Sequence, residues 1–211
     1  MIILLTAFEP FGGEMVNPAQ EAVKLVAARI ATAEIVKLTV PTVFHLAIDT
    51  VAEAMRTARP AAVVCIGQAG GRTAITPERV AINMEDAAIP DNKGNQPQDM
   101  PILPGGPTAY FATLPIKAMV KAIQDVGLSA AVSNTAGTFV CNHLMYGVLN
   151  LIETEFPGMI GGFIHVPYLT AQAEEKNEPA FGMELSDIVR GLEAALAVVA
   201  EVCLIRKTWL G

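Results

Sequence analysis

Short apolar segments alternate with segments of helical periodicity along most of the chain. Runs rich in Val, Ile and Leu that end at Gly, Pro or charged residues predict buried strands. These runs lie at residues 2–6, 34–40, 61–66, 79–84, 130–133 and 159–165. Apolar positions spaced three and four residues apart predict the helices between them. These helices are expected at residues 18–30, 44–59, 115–126, 142–156 and 184–200.

The alternation of strands and helices predicts an α/β fold in a single domain over residues 1–211. Its sheet is expected to be mainly parallel and covered by helices on both faces. In such sheets, ligands bind outside the carboxyl ends of the strands. Residues 85–107 form a long segment rich in Pro, Gly, Asp and Asn, for which we expect a functional or mobile loop.

Composition narrows the class of protein. Hydrophobic residues make up 52% of the chain and charged residues 17%, a balance that excludes intrinsic disorder. The net charge of −7 argues against nucleic-acid binding. So apolar a chain is expected to hide part of its surface, which favours a homo-oligomer. The three cysteines and the lack of a membrane span or export signal favour the cytoplasm.

One cysteine and one histidine stand out as candidates for chemistry. Cys141 precedes a predicted helix, and His165 ends the strand that follows that helix. If this strand is parallel to the one at residues 130–133, both side chains lie at the same sheet edge. A helix N-terminus favours thiolate over thiol, and a neighbouring imidazole can accept the proton. The alternative is a buried structural cysteine beside a structural histidine.

Several other residues stay open at this point. His45 is the main competitor of His165 as a base, whereas Cys65 and Cys203 are expected to be structural. An acidic or amide residue that orients the base is expected among Glu9, Glu14, Glu78, Asp86 and Asn142. No cysteine or histidine spacing fits a metal site, so no metal or cofactor is expected. Glycine-rich turns at residues 11–13 and 67–71 match no nucleotide-binding motif, and a weak anion-binding role stays open.

Six segments, with Asn17-Pro18 between the first two, resemble the type I pyroglutamyl peptidases in order and spacing. They are TAFEPFGG at residues 6–13, GQAGGR at 67–72, ERVAIN at 78–83, IPDN at 89–92, GTFVCN at 137–142 and HVPY at 165–168. The resemblance implies a cytosolic cysteine peptidase without metal or cofactor that removes N-terminal pyroglutamate from peptides. It also implies a three-layer α/β/α sandwich, related to nucleoside phosphorylases and commonly assembled as a homotetramer.

The resemblance also assigns the site. It implies Cys141 as nucleophile, His165 as base and Glu78 as the acidic third member. The implied substrate-binding residues are Phe8, Phe11, Asn17, Gln68, Phe139 and Val140. Ala88 stands where many members of the family carry arginine, and Arg72 and Arg79 are the candidate replacements. The competing hypothesis is a phosphorylase-like protein that binds a nucleoside or an anion and has no peptidase activity.

Overall fold

The computed structural model describes residues 1–176 and 179–210. The strands are β1 (Ile2–Phe8), β2 (Arg29–Ile30), β3 (Ala33–Val40), β4 (Ala62–Gln68), β5 (Thr76–Pro77), β6 (Val80–Ile82), β7 (Ala109–Phe111), β8 (Ile160–Val166), β9 (Tyr168–Leu169) and β10 (Gly182–Met183). The helices are α1 (Pro18–Leu25), α2 (Leu46–Ala58), α3 (Ile116–Asp125), α4 (Val140–Thr154), α5 (Thr170–Glu174) and α6 (Leu185–Leu210).

The central sheet is mixed, as predicted. Its strand order is β2-β3-β1-β4-β8-β5. The four inner strands, β3, β1, β4 and β8, run parallel, and short antiparallel strands close both edges. The carboxyl ends of β1, β4 and β8 therefore lie side by side at one edge of the sheet.

Helices cover both faces of this sheet. Side chains of one parity, such as Cys65 and Phe163, pack into a core with α2 and α4. Side chains at the alternate strand positions, such as Val64 and Ile164, pack against α1, α3 and α6. The strands β4 and β8 are buried at every position, which explains why they read as unbroken apolar runs. The three-layer α/β/α sandwich is confirmed.

Helix α1 is shorter than its periodicity predicts. Asn17 caps it as expected, but it ends at Leu25, and Val26 already has φ −48° and ψ 137°. The following N–H, that of Ala27, donates to Glu193 Oε1 at 2.9 Å. Residues 29–30 then pair with β3. The contact with Glu193 comes from 166 positions away, so the local pattern could not reveal it.

Two predicted strands of the sheet are wrong. Residues 79–84 contribute β6, which pairs with β7 in a separate two-stranded sheet. Residues 130–133 make only isolated bridges, parallel to the segment that contains β5. Because β5 is antiparallel to β8, this segment also runs against β8. The two segments therefore lack the parallel orientation on which the sequence argument for Cys141 and His165 depended.

The remaining differences are at element ends. Helix α2 begins at Leu46 because His45 adopts φ 60°, outside the helical region. Helix α6 continues to Leu210 rather than ending at residue 200. Residues 85–107 hold neither a helix nor a named strand, as the sequence predicts. Across the described ranges, no helix combines the length and the hydropathy that a membrane span requires.

Candidate active site

One helix and the strand that follows it bring Cys141 and His165 together. Cys141 is the second residue of α4, and His165 is the last residue but one of β8. The 15-residue helix spans about 22 Å, and the 7-residue strand spans about 23 Å. The chain reverses direction between α4 and β8, and the two elements are about equally long. The end of β8 therefore lies near the start of α4. This helix–strand reversal, rather than a parallel strand pair, places the two residues at one edge.

Gly67 shows how closely the two meet. In the sheet register Gly67 of β4 is the partner of His165. A methyl group built on Gly67 would lie 3.0 Å from the Sγ atom of Cys141. It would also lie 2.7 Å from the ring of Phe163, which packs 4.7 Å from the His165 ring, centroid to centroid. Cys141 therefore stands directly over the end of β4, beside His165.

Glu78 orients the imidazole. Its Oε1 atom lies 2.7 Å from Nδ1 of His165, and its carboxyl group is fully buried. The same oxygen accepts from Nη1 of Arg72 at 2.6 Å. Because Oε1 already accepts from the guanidinium, we assign the proton of the Glu78–His165 bond to Nδ1 of His165. Its Nε2 atom is then free to accept a proton.

Burial sets the protonation of the resting pair. Desolvation, with the Glu78 charge adding to it, raises the pKa of the Cys141 thiol to about 12. Desolvation also lowers the pKa of His165, although the hydrogen bond to Glu78 acts the other way. Both shifts favour the neutral thiol and the neutral imidazole over a thiolate–imidazolium pair, opposite to the effect expected from the helix N-terminus.

The start of α4 provides hydrogen-bond donors. Helix N-termini leave their first N–H groups without intrahelical partners. The N-cap residue, Phe139, is extended, and no side chain within the described ranges caps the helix there. The N–H of His143 donates to the Phe139 carbonyl at 3.1 Å. The N–H groups before it, around Cys141, remain available for an oxyanion.

Aromatic side chains border this edge. The ring of Phe11, in the loop after β1, lies 5.9 Å from that of Phe139. Phe44 meets Phe139 edge to face at 5.4 Å. Phe8 lies deeper: it is 2% exposed and packs 6.4 Å from Phe163. Phe11 and Phe139 are half-buried and can face a ligand, whereas the buried Phe8 packs on Phe163.

The predicted amide residues differ in their availability. Asn17 is used by the fold: its Oδ1 accepts from Ala19 N–H at 3.0 Å, and its Nδ2 donates to the Glu9 carbonyl. Gln68 ends β4 beside Gly67 and is buried. Its Oε1 atom accepts no hydrogen bond from the described part of the chain. Gln68 thus brings an unused polar group to the edge where Cys141 stands. Val140, fully buried, begins α4.

The structure separates the rival candidates. Of the residues proposed to orient the base, only Glu78 bonds His165. Glu9 accepts from Thr42 and Asn92 instead, and Glu14 pairs with Lys176. Asn142 ties α4 to β6, and Asp86 is exposed.

His45 belongs to a second histidine cluster. Its backbone N–H donates to Nε2 of the buried His143 at 2.8 Å. His143 Nδ1 lies 2.7 Å from Oε2 of Glu85. The ring of His143 packs edge to face on Phe44, which in turn packs on Phe139. Glu85 and Phe44 do not stand out in the sequence, because their contacts with His143 join distant parts of the chain.

The position of the family arginine is open to solvent. Ala88 is exposed in the long loop. Arg79 donates to Asn134 Oδ1 at 2.8 Å, and Arg72 is bound to Glu78. Neither arginine is free to take over the role of a residue at position 88.

The chain is similar to known peptidases in sequence and in fold. The family model described as pyroglutamyl peptidase matches residues 1–202. Pyrrolidone-carboxylate peptidase 1 of Streptococcus pneumoniae is 55% identical, with 95% of this chain and 94% of that protein covered. The crystal structure of pyroglutamyl peptidase I from Bacillus amyloliquefaciens is 50% identical, with 95% and 97% covered and a TM-score of 0.91.

A more distant structure has the same fold. A mutant pyrrolidone carboxyl peptidase from the hyperthermophile Pyrococcus furiosus is 37% identical, with 96% of this chain and 99% of that chain covered and a TM-score of 0.92. The match extends through the sheet and through the segments that hold the candidate site. The chain belongs to the pyroglutamyl peptidase family.

Proposed function

We propose that this protein hydrolyses the bond after an N-terminal pyroglutamyl residue, with Cys141 as nucleophile, His165 as base and Glu78 as the residue that orients the base. The observation that carries the proposal is the 2.7 Å contact of Glu78 with His165 at the end of β8, together with the sulfur of Cys141 over Gly67, the register partner of His165. Family membership supports the same reaction.

The reaction starts from the neutral pair. Nε2 of His165 accepts the proton of Cys141 as the sulfur attacks the pyroglutamyl carbonyl. N–H groups at the start of α4 stabilise the oxyanion. The imidazolium of His165 then donates its proton to the departing amine, and a thioester remains. Water, deprotonated by His165, attacks the thioester, and pyroglutamate and the free thiol are released.

The pocket suits a neutral lactam. A pyroglutamyl ring has no ammonium group, and half-buried Phe11 and Phe139 provide apolar walls. Gln68 provides an amide for the lactam N–H or carbonyl. The carboxylates of the loop after β1 are already bonded, Glu9 to Thr42 and Glu14 to Lys176. An ordinary peptide would have to bury its ammonium group without a counter-ion, which is costly.

The competing phosphorylase hypothesis has no support in the glycine-rich turn after β4. Gly67 is packed against Cys141 and Phe163, and Gly70 lies against the ring of Tyr168. These contacts occupy the space beside the backbone at Gly67 and Gly70. The family model and the solved structures named above are those of pyroglutamyl peptidases.

Activity on a pyroglutamyl coumarin amide tests the proposal. Wild type is expected to release the fluorophore, and both Cys141→Ala and Cys141→Ser are expected to abolish turnover. The matched control is Cys203→Ser, which removes a thiol on α6 and should leave activity unchanged. A thioester adduct on Cys141 in mass spectra of acid-quenched turnover would support the intermediate. Full activity in Cys141→Ala would contradict the mechanism.

We further propose that the protein works in the cytoplasm as a homo-oligomer, a dimer or a tetramer. A free nucleophilic thiol is suited to a reducing compartment. The outer face of the β6–β7 ribbon is apolar, with Phe111 69% exposed and Ile82 39% exposed. Light scattering should give a mass of two or four chains, and a monomeric mass would contradict the assembly.

A further inference from the structure

Two donors share one oxygen of the buried Glu78 carboxylate. Oε1 is 2.7 Å from Nδ1 of His165 and 2.6 Å from Nη1 of Arg72. The other oxygen, Oε2, is buried and has no partner in the described ranges. Glu78 is completely buried, whereas the Arg72 side chain is 23% exposed. The guanidinium thus closes the solvent side of the Glu78–His165 pair.

Arg72 also reaches the segment that leads to the nucleophile. Its Nη2 donates to the backbone carbonyl of Thr135 at 2.9 Å. Thr135 in turn accepts from the N–H of Gly137 through Oγ1 at 3.1 Å. Four residues beyond Gly137 is Cys141. A further bond from Nη1 to Thr76 anchors the guanidinium on β5.

The charges of the four groups alternate when the thiol gives up its proton. Arg72 is positive, Glu78 negative, the His165 imidazolium positive and the Cys141 thiolate negative. The buried set is then neutral overall, as buried charges must be to avoid a large desolvation penalty. Without Arg72 it would carry an uncompensated negative charge. The pKa of the Cys141 thiol responds to these charges with the expected signs, since Glu78 raises it and Arg72 lowers it.

We propose that Arg72 is a positioning residue for the reaction proposed above, on which this inference rests. It acts through Glu78: it balances the carboxylate charge and holds the Glu78–His165 pair in register with the segment that carries Cys141. The sequence suggested Arg72 only as a substitute for the arginine absent at position 88. Its contacts give it a different role, behind the histidine rather than toward the substrate.

Arg72→Gln tests the charge, since glutamine can still donate a hydrogen bond. We expect kcat/KM to fall about 100-fold, within the range of general acid–base assistance, with little change in KM. The other groups that act on the Cys141–His165 pair are Glu78 and Cys65. Because Arg72 lowers the pKa of His165, the acid limb of the kcat/KM profile should move to higher pH. Arg72→Lys retains the charge and should leave that limb in place.

The control is Arg79→Gln, which removes an arginine whose side chain bonds Asn134 and should change neither activity nor the profile. A double-mutant cycle separates positioning from folding. In a Glu78→Gln background, Arg72→Gln should have almost no further effect on kcat/KM, because Arg72 acts through Glu78. The double variant also buries no unbalanced charge, so it serves if Arg72→Gln alone does not fold.

Two results would overturn the assignment. One is an unchanged acid limb and an unchanged kcat/KM in folded Arg72→Gln. The other is an equal reduction of kcat/KM by Arg72→Gln in the wild-type background and in the Glu78→Gln background. Either result, with wild type active on the pyroglutamyl amide, removes only the role of Arg72. Wild type without activity removes the proposed function itself and this inference with it.

Discussion

Because Gly67 has no side chain, the sulfur of Cys141 can lie close to the backbone at this position. A methyl group at position 67 would stand 3.0 Å from Sγ and 2.7 Å from the Phe163 ring. Its backbone is in β4, in register with His165 on β8. The absence of a side chain at this one strand position therefore lets the start of α4 approach the histidine.

Gly67→Ala should abolish most of the activity while the protein still folds. Cys141 and Phe163 would have to shift by several tenths of an ångström, and small misplacements of reacting groups are costly to catalysis. The measurement is kcat/KM together with thermal unfolding. Gly162→Ala is the matched control, because its methyl group would meet Leu114 and Ala112 away from the site. It should lower stability and leave kcat/KM intact; equal activity losses in both variants would contradict this account.

Gln68→Met should weaken substrate binding without harming the fold. The Oε1 atom of Gln68 is buried and without a partner among the described residues, which destabilises the free protein. Methionine removes this unpaired group and keeps the length of the side chain. We expect equal or higher thermal stability and a rise in KM, with kcat/KM down about 10- to 100-fold, the loss of one or two buried hydrogen bonds. An unchanged KM would rule out contact between Gln68 and the lactam.

Alkylation of Cys141 by iodoacetamide should rise continuously with pH. Burial raises the pKa of this thiol to about 12, so the thiolate fraction grows about tenfold per pH unit through pH 9. Cys65 has the same raised value but is fully buried, and it should stay unmodified while the protein is folded. Peptide mapping of each cysteine gives the rates. A plateau between pH 6 and pH 8 would instead indicate a resting thiolate–imidazolium pair.

Acid should destabilise the fold through His143. Burial lowers the pKa of His143 to about 3, against about 6.5 for an exposed histidine. As pH falls below 6.5, the unfolded chain binds a proton that the folded chain does not, so the free energy of unfolding decreases. The slope is at most about 1.4 kcal/mol per pH unit. Glu85, whose pKa burial raises, offsets part of it at lower pH.

The variant that checks this is His143→Gln, which can still accept from the His45 N–H and donate to Glu85 but cannot titrate. Urea unfolding between pH 7 and pH 5 should show a smaller pH dependence than in wild type. His45→Asn is the comparison, since its side chain is 66% exposed and asparagine tolerates the positive φ. Because burial is the larger cause of the lowered pKa of His143 and His45 the smaller, most of the wild-type slope should remain in this variant. Wild-type slopes in His143→Gln would show that another group is responsible.

The fold class and the family are legible in the amino-acid sequence. Strands β4 and β8 are buried on both faces, so their apolar runs were legible without a structure. The motifs that hold Cys141, His165 and Glu78 resemble those of the pyroglutamyl peptidases, and this resemblance, rather than the residue types alone, implied the chemistry. The helix–strand order also placed Cys141 and His165 at one edge, although for a partly wrong reason, since residues 130–133 run against β8.

Other features of the protein depend on contacts that form only in the folded chain. The end of α1 depends on Glu193, the resting protonation of Cys141 on its burial, and the role of Arg72 on meeting Glu78 and Thr135. Periodicity records which face of an element is buried, and it does so within a few neighbouring residues. Charge compensation and desolvation depend on atoms brought together from distant parts of the chain. These terms act only once the chain is folded, so a local pattern carries no trace of them.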